Sequence, residues 1–207
     1  MRPKSLYHKT VFIEIEFEDC YSYKYLYKEF NETHKLDPES YLSVPLCLIW
    51  AEKVMFIKKA IKQNFFRSKY FYWVDAGYFR EGEKGMEKYI NNWPSTKNIS
   101  EDDRVILGNI KRFNESVKQK YLKLGDNARE FFNDTLNVAG GFFGGQVKKL
   151  LKFVDLYYDT IKMFYKNNLY IGKEQNIYTY MAFAHPEIIK LVQLRGYFTF
   201  KRLLYYK

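Results

Sequence analysis

Residues 71–80 read FYWVDAGYFR, and this stretch indicates the fold class. Its first four residues are large and apolar, which predicts a fully buried strand that ends at Asp75. In α/β sheets, ligands bind beyond the carboxyl ends of the strands, where a carboxylate can hold a divalent cation that bridges a diphosphate. The alternative is that Asp75 only caps the turn before YFREGEKG, residues 78–85, because aspartate is common in turns.

Three other segments have the composition of strands. Residues 10–19, TVFIEIEFED, alternate apolar and acidic side chains and predict a half-exposed strand. Residues 104–108 predict a short strand, and residues 135–146 predict a strand that runs into a glycine-rich turn. The polar residues 81–103 predict a surface excursion between them.

Helices are predicted between these strands, at 21–36, from Trp50, at 126–134, from Gln146 and at 172–187. In the second of these helices, apolar residues at every third or fourth position from Trp50 form one face, and Lys53 lies off that face. Alternating strands and helices predict a single α/β domain that spans residues 1–207.

The composition excludes some classes of protein and leaves others open. The 207 residues are 47% hydrophobic and carry a net charge of +10, which suits a globular domain that attracts phosphates. The lysines are spread along the chain, so a specific nucleic-acid site is not expected, and a basic nucleic-acid-binding protein is the weaker alternative. Cys20 and Cys47 fit no metal-ligand spacing and are expected to be structural thiols.

The chain shows no stretch of apolar residues that is long enough to span a bilayer, and its N-terminus has no apolar core of a signal peptide. A cytoplasmic location is therefore expected. Residues 196–207, GYFTFKRLLYYK, are aromatic and basic, which suggests peripheral contact with a membrane.

Two further segments contain candidate site residues. In NVAGGFFGGQ, residues 137–146, four glycines flank two phenylalanines, and glycine permits positive φ and close approach of a ligand. The alternative is a tight turn that the phenylalanines fill. Glu174 begins a predicted helix, where the helix dipole favours a glutamate even without a function. His8, His34 and His185 are isolated, and each is expected to be a surface or capping residue.

The order of IWAEK (49–53), WVDAG (73–77), NVAGGFFGG (137–145) and GKEQ (172–175) resembles glycosyltransferases of the GT-A type. It is most similar to the HtrL/YibB group of predicted sugar transferases, over about residues 10–195. This resemblance implies a GT-A-like, Rossmann-related fold. It also implies transfer of a sugar from a nucleoside diphosphate sugar to a glycan or protein acceptor, with Mn²⁺ or Mg²⁺ as the cofactor.

The resemblance also implies roles for individual residues. The implied catalytic residues are Glu174 and Gln175, and the implied metal ligand is Asp75. The residues implied to bind the donor are Lys53, Asp75, Gly77 and Arg80. The residues implied to line the acceptor site are Gly140, Gly141, Phe142, Phe143, Gly144 and Gly145.

Two departures from the GT-A pattern define the main alternative. Gly77 stands where the acidic motif has its second acid, and the chain reaches residues 10–17 without a first nucleotide-binding strand. An N-terminally shortened, catalytically inactive protein that binds a glycan or a nucleotide is therefore the second hypothesis.

Overall fold

The structure, a computed structural model, describes residues 10–39, 41–77, 102–123 and 138–194. Several predictions fall outside these ranges. They concern His8, Arg80, the helix at 126–134, the tail at 196–207 and most of the excursion at 81–103.

The described part of the chain opens with a segment that is not a strand. The predicted strand at 10–19 is wrong, because residues 10–16 have no regular structure and Phe17–Asp19 form one turn of 3₁₀ helix. Val11, Phe12 and Ile13 are exposed, and no described strand pairs with this segment. Alternation of apolar and polar residues fits a pleated surface, but a strand also needs a neighbouring edge to accept its hydrogen bonds.

Two helices follow and pack against each other. Helix α1 spans Tyr21–Thr33, which confirms the first predicted helix. Helix α2 spans Val44–Gln63 and begins before Trp50, because the Ser43 side chain accepts a hydrogen bond from the backbone of Leu46. Glu52 of α2 is fully buried, and its carboxylate accepts from the first backbone amides of α1 and from the Ser22 hydroxyl, at 2.8–3.1 Å.

The described strands form one mixed sheet. Their bounds are Tyr70–Val74 (β1), Val105–Asn109 (β2), Val138–Gln146 (β3) and Ile189–Gln193 (β4), and their order is β1-β3-β2-β4. Strand β3 is antiparallel to both of its neighbours, and β4 is parallel to β2. Strands β1, β2 and β4 therefore run in one direction, and their carboxyl ends share one edge of the sheet.

Strand β1 confirms the predicted strand that ends before Asp75, but its side chains are half-buried rather than fully buried. The reason is its place at one side of the described sheet, where only β3 pairs with it. Strand β2 confirms the short strand that was predicted at 104–108.

The predicted glycine-rich turn is wrong. All four glycines lie inside β3, between β1 and β2. A Cβ atom at Gly144 would overlap the Tyr72 ring and lie 2.7 Å from the Phe71 carbonyl oxygen. At this position glycine serves close packing across the sheet, rather than a change of chain direction.

Three more helices complete the described architecture, namely Glu115–Lys123 (α3), Val147–Lys166 (α4) and Glu174–Ala184 (α5). Helices α4 and α5 confirm the prediction, whereas α3 and β4 were not predicted. The aromatic rings of Phe143, Phe153, Tyr157 and Tyr178 contact one another where these helices meet the sheet. The described residues thus form a mixed α/β domain.

Both cysteines are buried and free, as expected for structural thiols. Among the described residues, we find no helix whose length and apolar character would let it span a bilayer.

Candidate functional site

The centre of the candidate site is the ammonium group of Lys53, on α2. Its Nζ atom donates to Asp75 Oδ2 at 3.0 Å, to Glu174 Oε1 at 3.1 Å and to the Gly140 carbonyl oxygen at 3.3 Å. These partners come from the end of β1, from the start of α5 and from β3. The structure therefore brings four of the predicted site residues into direct contact, and we call them the Lys53 cluster.

Lys53 is 5% exposed, although the sequence places it off the apolar face of its helix. Two ion pairs with carboxylates compensate for its burial. Burial acts to lower the pKa of Lys53, but Glu174 and Asp75 outweigh it, so the pKa rises above its ordinary value. Lys53 is therefore a fixed positive charge at neutral pH.

Asp75 is the member of the cluster that faces solvent, because 35% of its side chain is exposed. Its backbone N–H donates to the Gly141 carbonyl oxygen at 2.9 Å, which continues the ladder between β1 and β3. Its Oδ1 atom accepts from Trp73 Nε1 at 2.6 Å. Two side chains thus hold the carboxylate, one on each oxygen.

Glu174 is the buried carboxylate of the cluster, with 2% of the residue exposed. The absence of a side chain at Gly140 makes room for it, because a Cβ atom there would overlap Glu174 Oε1. Its other oxygen, Oε2, is buried and receives no hydrogen bond from any described residue. Burial raises the pKa of Glu174, and the charge of Lys53 only partly opposes this shift.

The chain matches, over residues 2–205, a family model with the description "Bacterial protein of unknown function (HtrL_YibB)". The chain belongs to the HtrL_YibB family. No curated protein and no solved structure gives a significant match to it. The predicted resemblance to the HtrL/YibB group is thereby confirmed, whereas the GT-A assignment has no support from these comparisons.

The other predicted site residues of this HtrL_YibB protein lie at different distances from the Lys53 cluster. Gln175 is buried beside Glu174, and Gly77 lies in the turn after β1. Gly141 contacts the cluster through its carbonyl oxygen, which accepts from the backbone N–H of Asp75, but residues 142–145 lead away from it. Phe142 stacks on Tyr72, Phe143 packs in the core, and Gly144 and Gly145 pair with the middle of β1.

Two residues near the cluster were not predicted. Trp73 binds Asp75 through its indole, and the two residues are two positions apart, a spacing that places side chains on the same side of a strand. Tyr178 lies one helical turn after Glu174, and its buried hydroxyl has no hydrogen-bond partner among the described residues. Both spacings were readable from the sequence, but neither predicts a contact until the strand and the helix have been placed.

A metal held by protein ligands alone does not fit the described side chains of this family member. Within these residues, no group of three or more His, Cys, Asp or Glu side chains is placed to hold a metal ion. The predicted ligand, Asp75, already accepts from Trp73 and from the Lys53 ammonium. We therefore derive no chemical step through a metal, and the metal ion stays a prediction.

Proposed function

We propose that this protein is a glycosyltransferase that moves a sugar from a nucleoside diphosphate sugar to a glycan or protein acceptor. One observation carries the proposal: a single buried ammonium binds two carboxylates that are 99 residues apart in sequence, at Asp75 and Glu174. The cluster lies where β1 ends, at the edge of the sheet that binds ligands in many α/β proteins.

Each charged member of the cluster suits a part of this reaction. The Lys53 ammonium can stabilise the negative charge that develops on a leaving diphosphate, and a buried charge does this better than a solvated one. Asp75 is the exposed member and so lies nearest to an entering donor. Its contacts with Lys53 and Trp73 hold it in one orientation.

Glu174 has the properties of a base for the acceptor hydroxyl, or of a carboxylate that stabilises an oxocarbenium-like sugar. Its Oε2 atom accepts no hydrogen bond from the described residues, and burial raises its pKa above the ordinary value for a glutamate. Lys53 fixes its other oxygen. Glu174 can therefore offer Oε2 to a substrate while Oε1 keeps its hydrogen bond from Lys53.

A catalytically inactive binding protein is the second candidate. The observation that favours it is that Lys53 already forms ion pairs with both carboxylates, while Gly77 supplies no further acid. Such a protein would bind the nucleotide sugar and leave its glycosidic bond intact.

A thermal-shift screen of nucleoside diphosphate sugars, with and without Mn²⁺, tests binding. A ligand at 100 times its Kd should stabilise the fold by about 2.7 kcal/mol, which raises the Tm of a domain of this size by roughly 5–10 °C. Asp75→Asn should abolish the shift, and Asp159→Asn, at an exposed site on α4, should not. If no nucleoside diphosphate sugar shifts the Tm of the wild type, the proposal is wrong. Dependence of the shift on Mn²⁺ tests the metal prediction.

Turnover separates the two candidates. With a donor that binds, Glu174→Gln should reduce release of the nucleoside diphosphate by roughly 10²-fold or more, while binding of the donor persists. Turnover within a few-fold of wild type would limit Glu174 to a structural role. Binding without any turnover by the wild type would favour the inactive protein.

A further inference from the structure

A second feature of the molecule lies outside the Lys53 cluster. A cavity of about 500 Å³ runs along β4, between α3 and the end of α5. Ala182 and Phe183 line it, two turns along α5 from Glu174, which corresponds to about 12 Å of helix. Its volume lies in the range of small-molecule sites, and none of its lining residues belongs to the cluster.

Four cationic side chains line this cavity, namely Arg104, Arg112, Lys118 and Lys190. The first and last of them share one carboxylate. Asp102 accepts two hydrogen bonds from the Arg104 guanidinium, at 2.8 and 2.9 Å, and lies 2.7 Å from Lys190 Nζ. Two positive charges and one negative charge leave this part of the wall with a net positive charge.

The other two cations are available to a ligand. Arg112 is exposed and forms no ion pair with any described residue. Among the described residues, the Lys118 ammonium forms an ion pair only with Glu115, at 3.9 Å, and that carboxylate is 70% exposed, so the pair is weak. Arginine and lysine in a concave site favour an anionic ligand, and arginine in particular forms paired hydrogen bonds with phosphate and carboxylate groups.

The cavity also has a polar floor at the carboxyl ends of β2 and β4. Asn109 is 7% exposed, and its Nδ2 atom donates to Gln193 Oε1 at 3.3 Å. Gln193 Nε2 donates to three backbone carbonyl groups, at 2.9–3.1 Å, which fixes the orientation of both amides. Asn109 Oδ1 is then buried without a hydrogen-bond donor among the described residues. A ligand with O–H groups can supply that donor.

Two aromatic rings form an apolar wall of the same cavity. Phe113 and Phe183 pack edge to face, with ring centroids 4.5 Å apart, and both line the cavity. Cations, an unsatisfied acceptor and an apolar wall together match a ring that bears both hydroxyl groups and a negative charge.

We propose that this cavity binds an anionic sugar, that is, a sugar that carries a phosphate or a carboxylate. The anionic group binds Arg112 and Lys118, while hydroxyl groups meet the floor at Asn109. Arg104 acts as a positioning residue, because Asp102 and the Pro186 carbonyl oxygen already accept from three of its five N–H donors. This inference does not depend on the proposed transferase activity, since the two sets of residues are separate.

Titration calorimetry on the full chain at low salt tests the inference with four probes: glucose 6-phosphate, glucuronate, glucose and inorganic phosphate. We expect saturable binding of glucose 6-phosphate or glucuronate, and the stronger of the two identifies the anionic group. Glucose should not bind, and inorganic phosphate should bind at least about tenfold more weakly than the better anionic sugar.

The variant R112Q/K118Q should weaken binding of the anionic sugar by about tenfold or more. The matched control K62Q/K166Q removes the same charge from two exposed helix ends and should leave binding unchanged. Equal weakening in both double variants would reduce the effect to net charge and overturn the proposal. The proposal would also be wrong if neither anionic sugar bound at millimolar concentration. Binding of inorganic phosphate as tight as that of the better anionic sugar, or displacement of the sugar by single-stranded DNA, would contradict it as well.

Discussion

Lys53→Met removes the ammonium group at the centre of the cluster and keeps most of the length of the side chain. It leaves the buried Glu174 carboxylate without its cation. Removing one partner of a buried ion pair costs about 3–5 kcal/mol. We use the lower end, about 3 kcal/mol, because water screens the partly exposed Asp75. For a domain of this size, that loss lowers the Tm by roughly 6–12 °C.

The loss of folding stability caused by Lys53→Met should depend on pH. Burial raises the pKa of Glu174, and removal of Lys53 raises it further. A carboxyl group whose folded pKa lies above its unfolded value adds stability below the unfolded value of 4.5, and this stability is lost as the pH rises through the folded pKa. The difference in free energy of unfolding between K53M and the wild type should therefore be smaller near the pKa of Glu174 in the unfolded chain than at neutral pH.

Urea unfolding of the wild type, K53M, E174Q and K53M/E174Q measures the loss as a double-mutant cycle. The double variant should be more stable than the sum of the single losses predicts, because E174Q removes the charge that K53M leaves unpaired. Lys58→Met is the matched control on the same helix, where an exposed pair with Asp155 at 3.7 Å should contribute less than about 1 kcal/mol. Equal losses in K53M and K58M, or strict additivity in the cycle, would refute this account.

Three other substitutions test contacts away from the Lys53 ammonium. Gly140→Ala should displace the Glu174 carboxylate and cost about 1–3 kcal/mol in urea unfolding, and the same substitution in an E174A background should cost much less. Glu52→Gln should lower the free energy of local opening at the first turn of α1 by about 1–3 kcal/mol. Hydrogen exchange would show this as faster exchange of the Ser22 amide, with no change in exchange within β3. Hydrogen bonds from Arg104 hold the pKa of Asp102 well below its ordinary value of 3.8. The stabilisation is therefore fully present above 3.8 and is lost as the pH falls below that value and through the lower pKa of the folded state. The stability difference between the wild type and D102N should therefore shrink by about 1 kcal/mol between pH 7 and pH 3.

The end of β1 and the start of α5 were predictable because each has a local signal. An apolar run that stops at an aspartate marks a strand end, and Gly172 ahead of Glu174 marks a helix start. That Lys53 contacts both carboxylates was not readable from periodicity. Off-stripe lysines on a helix are usually solvated, and this one is buried only because two carboxylates meet it.

The errors have a common physical cause. Glycine-rich sequence is typical of turns, but in β3 Gly144 makes room for the Tyr72 ring of the next strand and Gly140 makes room for the Glu174 carboxylate. The segment 10–19 has the alternation of a strand, but no described strand pairs with it. In both cases the partner, rather than the segment itself, decides the structure. Strand β4 was missed for the same reason, since IKLVQ is short and becomes a strand by pairing with β2.

The contacts of Lys53 also bear on the order of events during folding. Asp75 lies 22 residues from Lys53 in sequence, but Gly140 and Glu174 lie 87 and 121 residues away. Contacts between distant residues form only after a large loss of loop entropy, so they tend to form late. A folding intermediate in which α2 and β1 have met, but α5 has not docked, would bring together a lysine and one carboxylate only. The complete charge arrangement therefore exists only in fully folded molecules, and a ligand that recognises it would discriminate against nascent and partly unfolded chains.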